Sequence, residues 1–357
     1  MSIVYFYPFN GKETKEELKN AILKLLSATE FLEKVSEGDI IAIKMHFGEE
    51  GNRGFIKPEF AKVVSDEIKK RGARVFFTDT NTLYKGRRAN AIDHLMLAYE
   101  HGFTPDFLGA PVIIADGILG NAEVKVRIDG KHFKEVPIAR ELAFCDGIVS
   151  LNHFTGHIVT QFGSCLKNLG MGGSSRAGKL LQHSSVKPRV KEKRCTGCGL
   201  CVLWCSTGSI EMKNGKAYIN LETCIGCGQC LSVCKFDAIY YNWEESSENV
   251  QEKMVEHALG VLKGKKAVHI TFLNHITLDC DCMAKDEPPV VEDIGILSSL
   301  DPVAIDKASL DLVEKRIGKS FALHTQRQEI PANQIFYAES LGLGSSNYEL
   351  KIISIKE

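Results

Sequence analysis

The sequence predicts an α/β fold, a mostly parallel sheet whose chain is interrupted midway by a small α+β cysteine-rich unit. Short apolar runs alternate with segments of helical periodicity, the pattern of strands and crossover helices. Eight of the twelve cysteines fall between residues 195 and 234. They lie between two polar, charge-rich stretches, QHSSVKPRVKEKR and YNWEESSENVQEK, which read as linkers. The strand-like runs on both sides have the same character. One body is therefore expected from residues 1–186 and 244–357, with residues 187–243 lodged inside it. A separate third domain would have a thin core, because the last hundred or so residues offer few strands.

The strand candidates, in order, are Asp39 to Met45, Arg74 to Thr78, Pro111 to Ala115, Asp146 to Leu151, Ala267 to Leu273 and Asp293 to Leu297. Each is an apolar run of strand length with polar ends. Between them, KETKEELKNAILKLLS puts Leu18, Ala21, Ile22, Leu25 and Leu26 on one helical stripe. A second helix opens at Pro58, a residue suited to the first turn, and groups Phe60, Val63, Val64 and Ile68. Two more are expected at Val250 to Leu262 and Pro302 to Lys315, with Asp301 as the cap of the latter.

Composition excludes several function classes. The 44 basic and 45 acidic residues leave a net charge of −1, so no electrostatic case exists for nucleic acid or an anionic membrane. The start MSIVYFYPFN is apolar but lacks a basic leader, and no stretch approaches a membrane-spanning length. Twelve cysteines without an export signal point to a reducing cytoplasm, where thiols bind metal instead of pairing.

The cysteines form two copies of CxxCxxCxxxC: Cys195, Cys198, Cys201 and Cys205, then Cys224, Cys227, Cys230 and Cys234, displaced by 29 residues. Three thiolates at this spacing reach three corners of one iron–sulfur cube, and the fourth corner needs a distant residue. Gly197, Gly199, Gly226 and Gly228 suit a backbone wound tightly around sulfur. The repeat resembles the bacterial two-cluster ferredoxin domain. That resemblance implies two [4Fe–4S] clusters, one held by Cys195, Cys198, Cys201 and Cys234, the other by Cys224, Cys227, Cys230 and Cys205. The proline usual after each fourth cysteine is replaced by Ser206 and Lys235, neither of which is a ligand. Paired zinc ribbons are the alternative, but zinc uses two ligand pairs and not runs of four.

A second site is expected beyond the carboxyl ends of the strands. His46, Asp79, Asp116, His153 and His275 each follow a strand candidate. His153 and His157 share a face, and Lys167 and Asn168 follow in a glycine-rich stretch, LNHFTGHIVTQFGSCLKNLGMGGSS. His46, His153, His157 and Lys167 are the catalytic candidates, and Asp79, Asp116, Asn168 and His275 the candidate cofactor contacts. Cys280 and Cys282, read as alternate residues of an extended segment, would face one metal ion with His275 nearby. GSSRAGK at residues 173–179 falls short of a phosphate loop, since Leu180 replaces the Ser or Thr and no strand precedes it. The other histidines, His94, His101, His132, His183, His257, His269 and His324, read as packing or surface residues.

Four stretches together, IAIKMHFGEEGN, SLNHFTGH with SCLKNLGMG, CDCMAKDEPPVVEDIGILSSLDPVAIDKASLDLV and FYAESLGLGSSNYELKI, resemble the family called domain of unknown function 362. Its members often carry an inserted two-cluster ferredoxin domain. A fainter similarity runs from HFTGHIVTQFGSCLKNLGMGG to nickel-pincer lactate racemases. The function expected first is an iron–sulfur redox protein, whose clusters relay electrons to or from a ligand or cofactor in the α/β cleft. The partner would be a redox protein or a small-molecule substrate. Alternatives are an electron-transfer and docking module without chemistry of its own, and a non-redox metal-handling protein or enzyme.

Overall fold

A computed structural model describes residues 1–9, 11–84, 86–184, 187–224, 226, 228–241, 246–325 and 332–355. Eight strands form the central sheet: β1 (Ser2–Pro8), β2 (Ile40–Lys44), β3 (Arg74–Asp79), β4 (Val112–Ile114), β5 (Gly147–His153), β6 (Lys266–Leu273), β7 (Gly295–Ser299) and β8 (Tyr348–Ile352). Their order is β8-β1-β7-β6-β5-β2-β3-β4. Only β7 runs against its neighbours, pairing antiparallel with β1 and β6. All other pairings are parallel. The fold is thus mixed α/β with a large, mostly parallel sheet, and the sheet draws strands from both sides of the cysteine repeat.

The strands are apolar on both faces because helices cover both. Ile41, Ile43, Val75, Phe77, Val149 and Leu151 enter one core with helices α1 (Lys15–Ala28) and α2 (Pro58–Lys69). Ala42, Phe76 and Ile148, one residue out of step, enter the other. That second core holds α3 (Cys165–Gly170), α5 (Ser247–Leu262) and α6 (Pro302–Ile317), with α4 (Arg176–His183) beside them. This is the alternation a pleated strand imposes, with neither side left to water. In α1 the predicted stripe is realised: Ala21, Ile22, Leu25 and Leu26 are buried, and Thr14 with Glu17 closes a capping box. In α2, Ala61 and Ser65 join Val64 and Ile68 inside, while Phe60 and Val63 are only partly covered. Asp301 caps α6 as expected, accepting from the Val303 and Ala304 amides.

Strand β8, at one edge of the sheet, and its inner neighbour β1 are absent from the strand candidates. The described residues of 187–241 add nothing to the central sheet. They form two small antiparallel pairs, Arg189–Val190 with Ile239–Tyr240 and Ile210–Lys213 with Lys216–Ile219, and two short helices, Leu200–Leu203 and Gln229–Val233. Their own core gathers Cys201, Ile210, Ala217, Ile219, Cys230 and Ile239.

Helix α3 is anchored from outside itself. Asp306, buried on α6, accepts the Cys165 amide on one oxygen and the Leu166 amide on the other, both at 2.8 Å. A carboxylate here satisfies two orphan N–H groups and complements the helix dipole. Burial raises its carboxyl to about 6 against those bonds. Replacing Asp306 by Ala strands both donors in the interior. Urea denaturation of D306A is expected to show a loss of about 1–3 kcal/mol.

Candidate functional site

Neighbouring strands β5 and β2 lead their chains in opposite directions across the sheet, β5 to β6 and β2 to β3. Such a switch point leaves a crevice beyond the strand ends. Here it opens into a cavity of about 300 Å³. Its wall includes Lys44 and His46 after β2, Asp79 and Thr80 at the end of β3, and His153 at the end of β5. His157, Lys167, Asn168, Lys179, His183, Cys280 and Cys282 also line it, as do Tyr84, Arg88 and Asp281.

The buried charges stand in linked pairs. Lys44 Nζ donates to Asp79 Oδ1 at 3.0 Å and to Asn168 Oδ1 at 2.8 Å, with both charged side chains almost wholly buried. Arg88 lies 3.5 Å from the other Asp79 oxygen and donates to Glu49 at 2.9 Å. Burial opposes the Asp79 charge, yet Lys44 and Arg88 hold its carboxyl far below the usual range. Lys179 donates to Thr80 Oγ1 and the Ser174 carbonyl, both at 2.6 Å, and burial lowers its ammonium to about 8. Gly172 makes room for this cluster: a Cβ there would stand 2.5 Å from Lys44 Nζ and 2.4 Å from the Asn168 carbonyl.

His46 accepts the Gly48 amide on Nδ1 at 2.8 Å, so the neutral ring carries its hydrogen on Nε2. That Nε2 is buried and has no protein partner. Burial and then Arg88 push the ring well below its usual range, keeping it neutral. It is a hydrogen-bond donor waiting on the cavity wall.

His153 differs. Its Nδ1 lies 2.6 Å from Asp281 Oδ2 and its Nε2 2.7 Å from the Asn274 carbonyl, so both nitrogens donate and the ring is an imidazolium. Burial works against this charge, but the Asp281 carboxylate outweighs it and raises the ring above 6.5. His153 therefore clasps the loop after β6 onto the end of β5. Asn168 is likewise fully engaged, donating to the carbonyls of Lys44 and Leu151 and to Asn152 Oδ1. His157 Nδ1 accepts the Thr160 amide at 3.1 Å, which secures the hairpin that presents it.

The segment around Cys280 is not extended, which corrects the sequence expectation. The Met283 amide reaches the Cys280 carbonyl at 2.9 Å and closes a turn. Lys167 Nζ is 2.9 Å from Cys280 Sγ. The neighbouring Cys282, and after it Lys167, lower the Cys280 thiol well below its usual range against the effect of burial. Lys167 is held charged: burial disfavours the ammonium, but the Cys280 sulfur beside it outweighs that. Tyr84 OH donates to the Cys282 carbonyl at 3.1 Å.

Eight of the predicted residues, His46, Asp79, His153, His157, Lys167, Asn168, Cys280 and Cys282, thus meet at one cavity. Two stand outside its lining. Asp116 accepts the Asn81 amide at 3.0 Å and shapes the turn after β3. His275, with φ at +47°, packs against Gly54 beside Asp281, and its Nε2 has no hydrogen-bond partner. Sequence reasoning missed Lys44, Arg88, Lys179 and His183. A lysine ending the apolar run IIAIK was a legible signal; the others became visible only through folding.

In the cysteine unit, Cys195, Cys198, Cys201 and Cys234 line one small cavity. Backbone amides point at its sulfurs: Ala217 to Cys195 at 3.4 Å and Ala238 to Cys234 at 3.3 Å. The Gly226 amide does the same for Cys224 at 3.4 Å. Cys205 faces Thr207, Cys230 is in the unit's core, and Cys227 lies outside the described residues. Among the described residues, no three His, Cys, Asp or Glu side chains are grouped so as to hold a metal ion. Among them too, no helix is long and apolar enough to cross a membrane.

Fold and site together define an α/β protein with a polar cavity at the switch point of its sheet. Residues 41–311 match the family described as Domain of unknown function (DUF362), and the chain belongs to it. No curated protein matches the sequence. Similar solved structures include the lactate racemase apoprotein from Thermoanaerobacterium thermosaccharolyticum, 12% identical with a TM-score of 0.40 over 76% of this chain and 50% of that one. Another is a protein from Thermotoga maritima, 12% identical with a TM-score of 0.43 over 89% and 60%. The chain thus spans less than two thirds of either structure.

The His153–Asp281 clasp has a pH window. Because the folded His153 value is raised, its contribution is complete below about 6.5 and fades as pH rises through the folded value. Asp281 is lowered, since His153 overcomes the effect of burial; its contribution is present above 3.8 and fades as pH falls through the folded value. Denaturation of wild type and H153Q should differ most between roughly pH 4 and 6.5 and converge at alkaline pH.

Proposed function

We propose that this protein is an iron–sulfur oxidoreductase, with two [4Fe–4S] clusters in the inserted ferredoxin-like unit serving a ligand in the α/β cavity. The observation that carries this reading is the position of helix α4. Gly228, two residues before Cys230, lies so close to α4 that a Cβ would stand 2.6 Å from Leu180. On the same helix, Lys179 and His183 line the cavity. One helix therefore separates the second cysteine run from the ligand space.

The donor set suits the clusters. The small cavity takes three thiols from the first run and the last from the second, the exchange that the ferredoxin pattern calls for. Amide donors to sulfur favour thiolate charge and tune the potential of a bound cluster. When bound, such clusters supply electrons singly. The chain's own residues would orient the ligand through the His46 N–H, supply positive charge from Lys44, Arg88 and Lys167, and exchange a proton at Lys179 Nζ near neutral pH.

Protein purified without air should contain roughly eight irons per chain. Cys234→Ser should remove about half, and Cys195→Ser the same half, so the double variant should lose no more than either single one. Stoichiometric zinc with little iron in wild type would refute the reading.

A further inference from the structure

The turn at Cys280–Cys282 holds two thiols that no cluster reading uses. Both line the main cavity and are partly exposed. Three contacts fix them. Lys167 Nζ touches Cys280 Sγ at 2.9 Å, Asp281 between them is clasped by His153 at 2.6 Å, and Tyr84 OH holds the Cys282 carbonyl at 3.1 Å. The turn closed by the Met283 amide also draws residues 280 and 282 closer than a strand would, toward the separation that a disulfide requires.

We propose that Cys280 and Cys282 are a redox-active dithiol that reduces a small-molecule disulfide bound in the cavity. Cys280, beside the Lys167 ammonium, is the attacking sulfur, and Cys282 resolves. In the first step the Cys280 thiolate forms a bond to one sulfur of the ligand and releases the other as a thiolate. In the second, Cys282 gives up its proton, attacks Cys280 Sγ and releases the remaining half as a thiol. One S–S bond has then moved from ligand to protein, and the ligand has gained two electrons. Restoring the Cys280 thiolate and the Cys282 thiol takes two electrons and one proton; this rests on the function proposed above, whose paired one-electron clusters are the donor class.

The arrangement assigns distinct work to the neighbours. Lys167 keeps the nucleophile charged, and a thiolate is the form that attacks. Gly163 gives the lysine its path, since a Cβ there would lie 2.6 Å from Lys167 Cδ. Leu83, Ile158, Val159 and Met283 add apolar wall to the same cavity.

The test uses the full-length protein and glutathione disulfide as the probe. Trypsin releases residues 267–285, a peptide with Cys280 and Cys282 and no other cysteine, so its state is read separately from the cluster ligands. Wild type is expected to form the internal disulfide and release two glutathione molecules per chain. Cys282→Ser should trap glutathione on Cys280, and Lys167→Met should slow that trapping by about tenfold or more. Full alkylation of both cysteines in wild type after exposure to the probe, or a Cys282→Ser protein that forms no adduct, would overturn the proposal. Iron content separates the two readings: exchange without iron would sink the cluster reading alone, and eight irons without exchange would sink the dithiol alone.

Discussion

A charge removed from water must find a partner, and the carboxyl edge of this sheet is organised around that requirement. Lys44 with Asp79, Arg88 with Glu49, His153 with Asp281 and Lys167 with Cys280 are buried couples whose members come from different segments. Each couple therefore fixes one part of the chain against another. Lys44 ties β2 to β3 and, through Asn168, to α3. His153 ties β5 to the loop that carries both cavity cysteines. Losing one member would leave its partner charged and dry, a far larger cost than losing the pair.

The cavity follows from the same requirement. Parallel strands that end together place their polar termini in one plane, and the opposite crossovers of β5 and β2 keep helices from closing over it. Glycine at 172 lets Lys44 lie against α3, and Asp306 secures that helix from α6. The chemistry-bearing groups are thus preorganised by residues that never face the ligand space.

Much of this was legible in the sequence because its signals are local. Apolar runs marked strands β2 to β7, and the residues after them named His46, Asp79 and His153. What escaped depends on distant partners. Strand β8 is half exposed and takes its identity from pairing with β1, more than 340 residues away along the chain. Lys179 was set aside with a failed phosphate loop, yet the helix turns it inward onto Thr80. Arg88 and Tyr84 sat in an unremarkable polar loop. His153 looked like a free acid–base group, and only the fold reveals that both its nitrogens are occupied. The cysteines at 280 and 282 looked extended because nothing in CDCM announces a turn.

The second cysteine run packs against α4 through Gly228 and Leu180, and the proposed function puts metal clusters on one side of that helix and a ligand on the other. Anomalous X-ray scattering at the iron edge, from crystals grown without air, tests this most directly. Two compact iron centres are expected, one among Cys195, Cys198, Cys201 and Cys234 and the second next to α4. Scattering at the zinc edge only, or iron located between Cys280 and Cys282 instead, would contradict it.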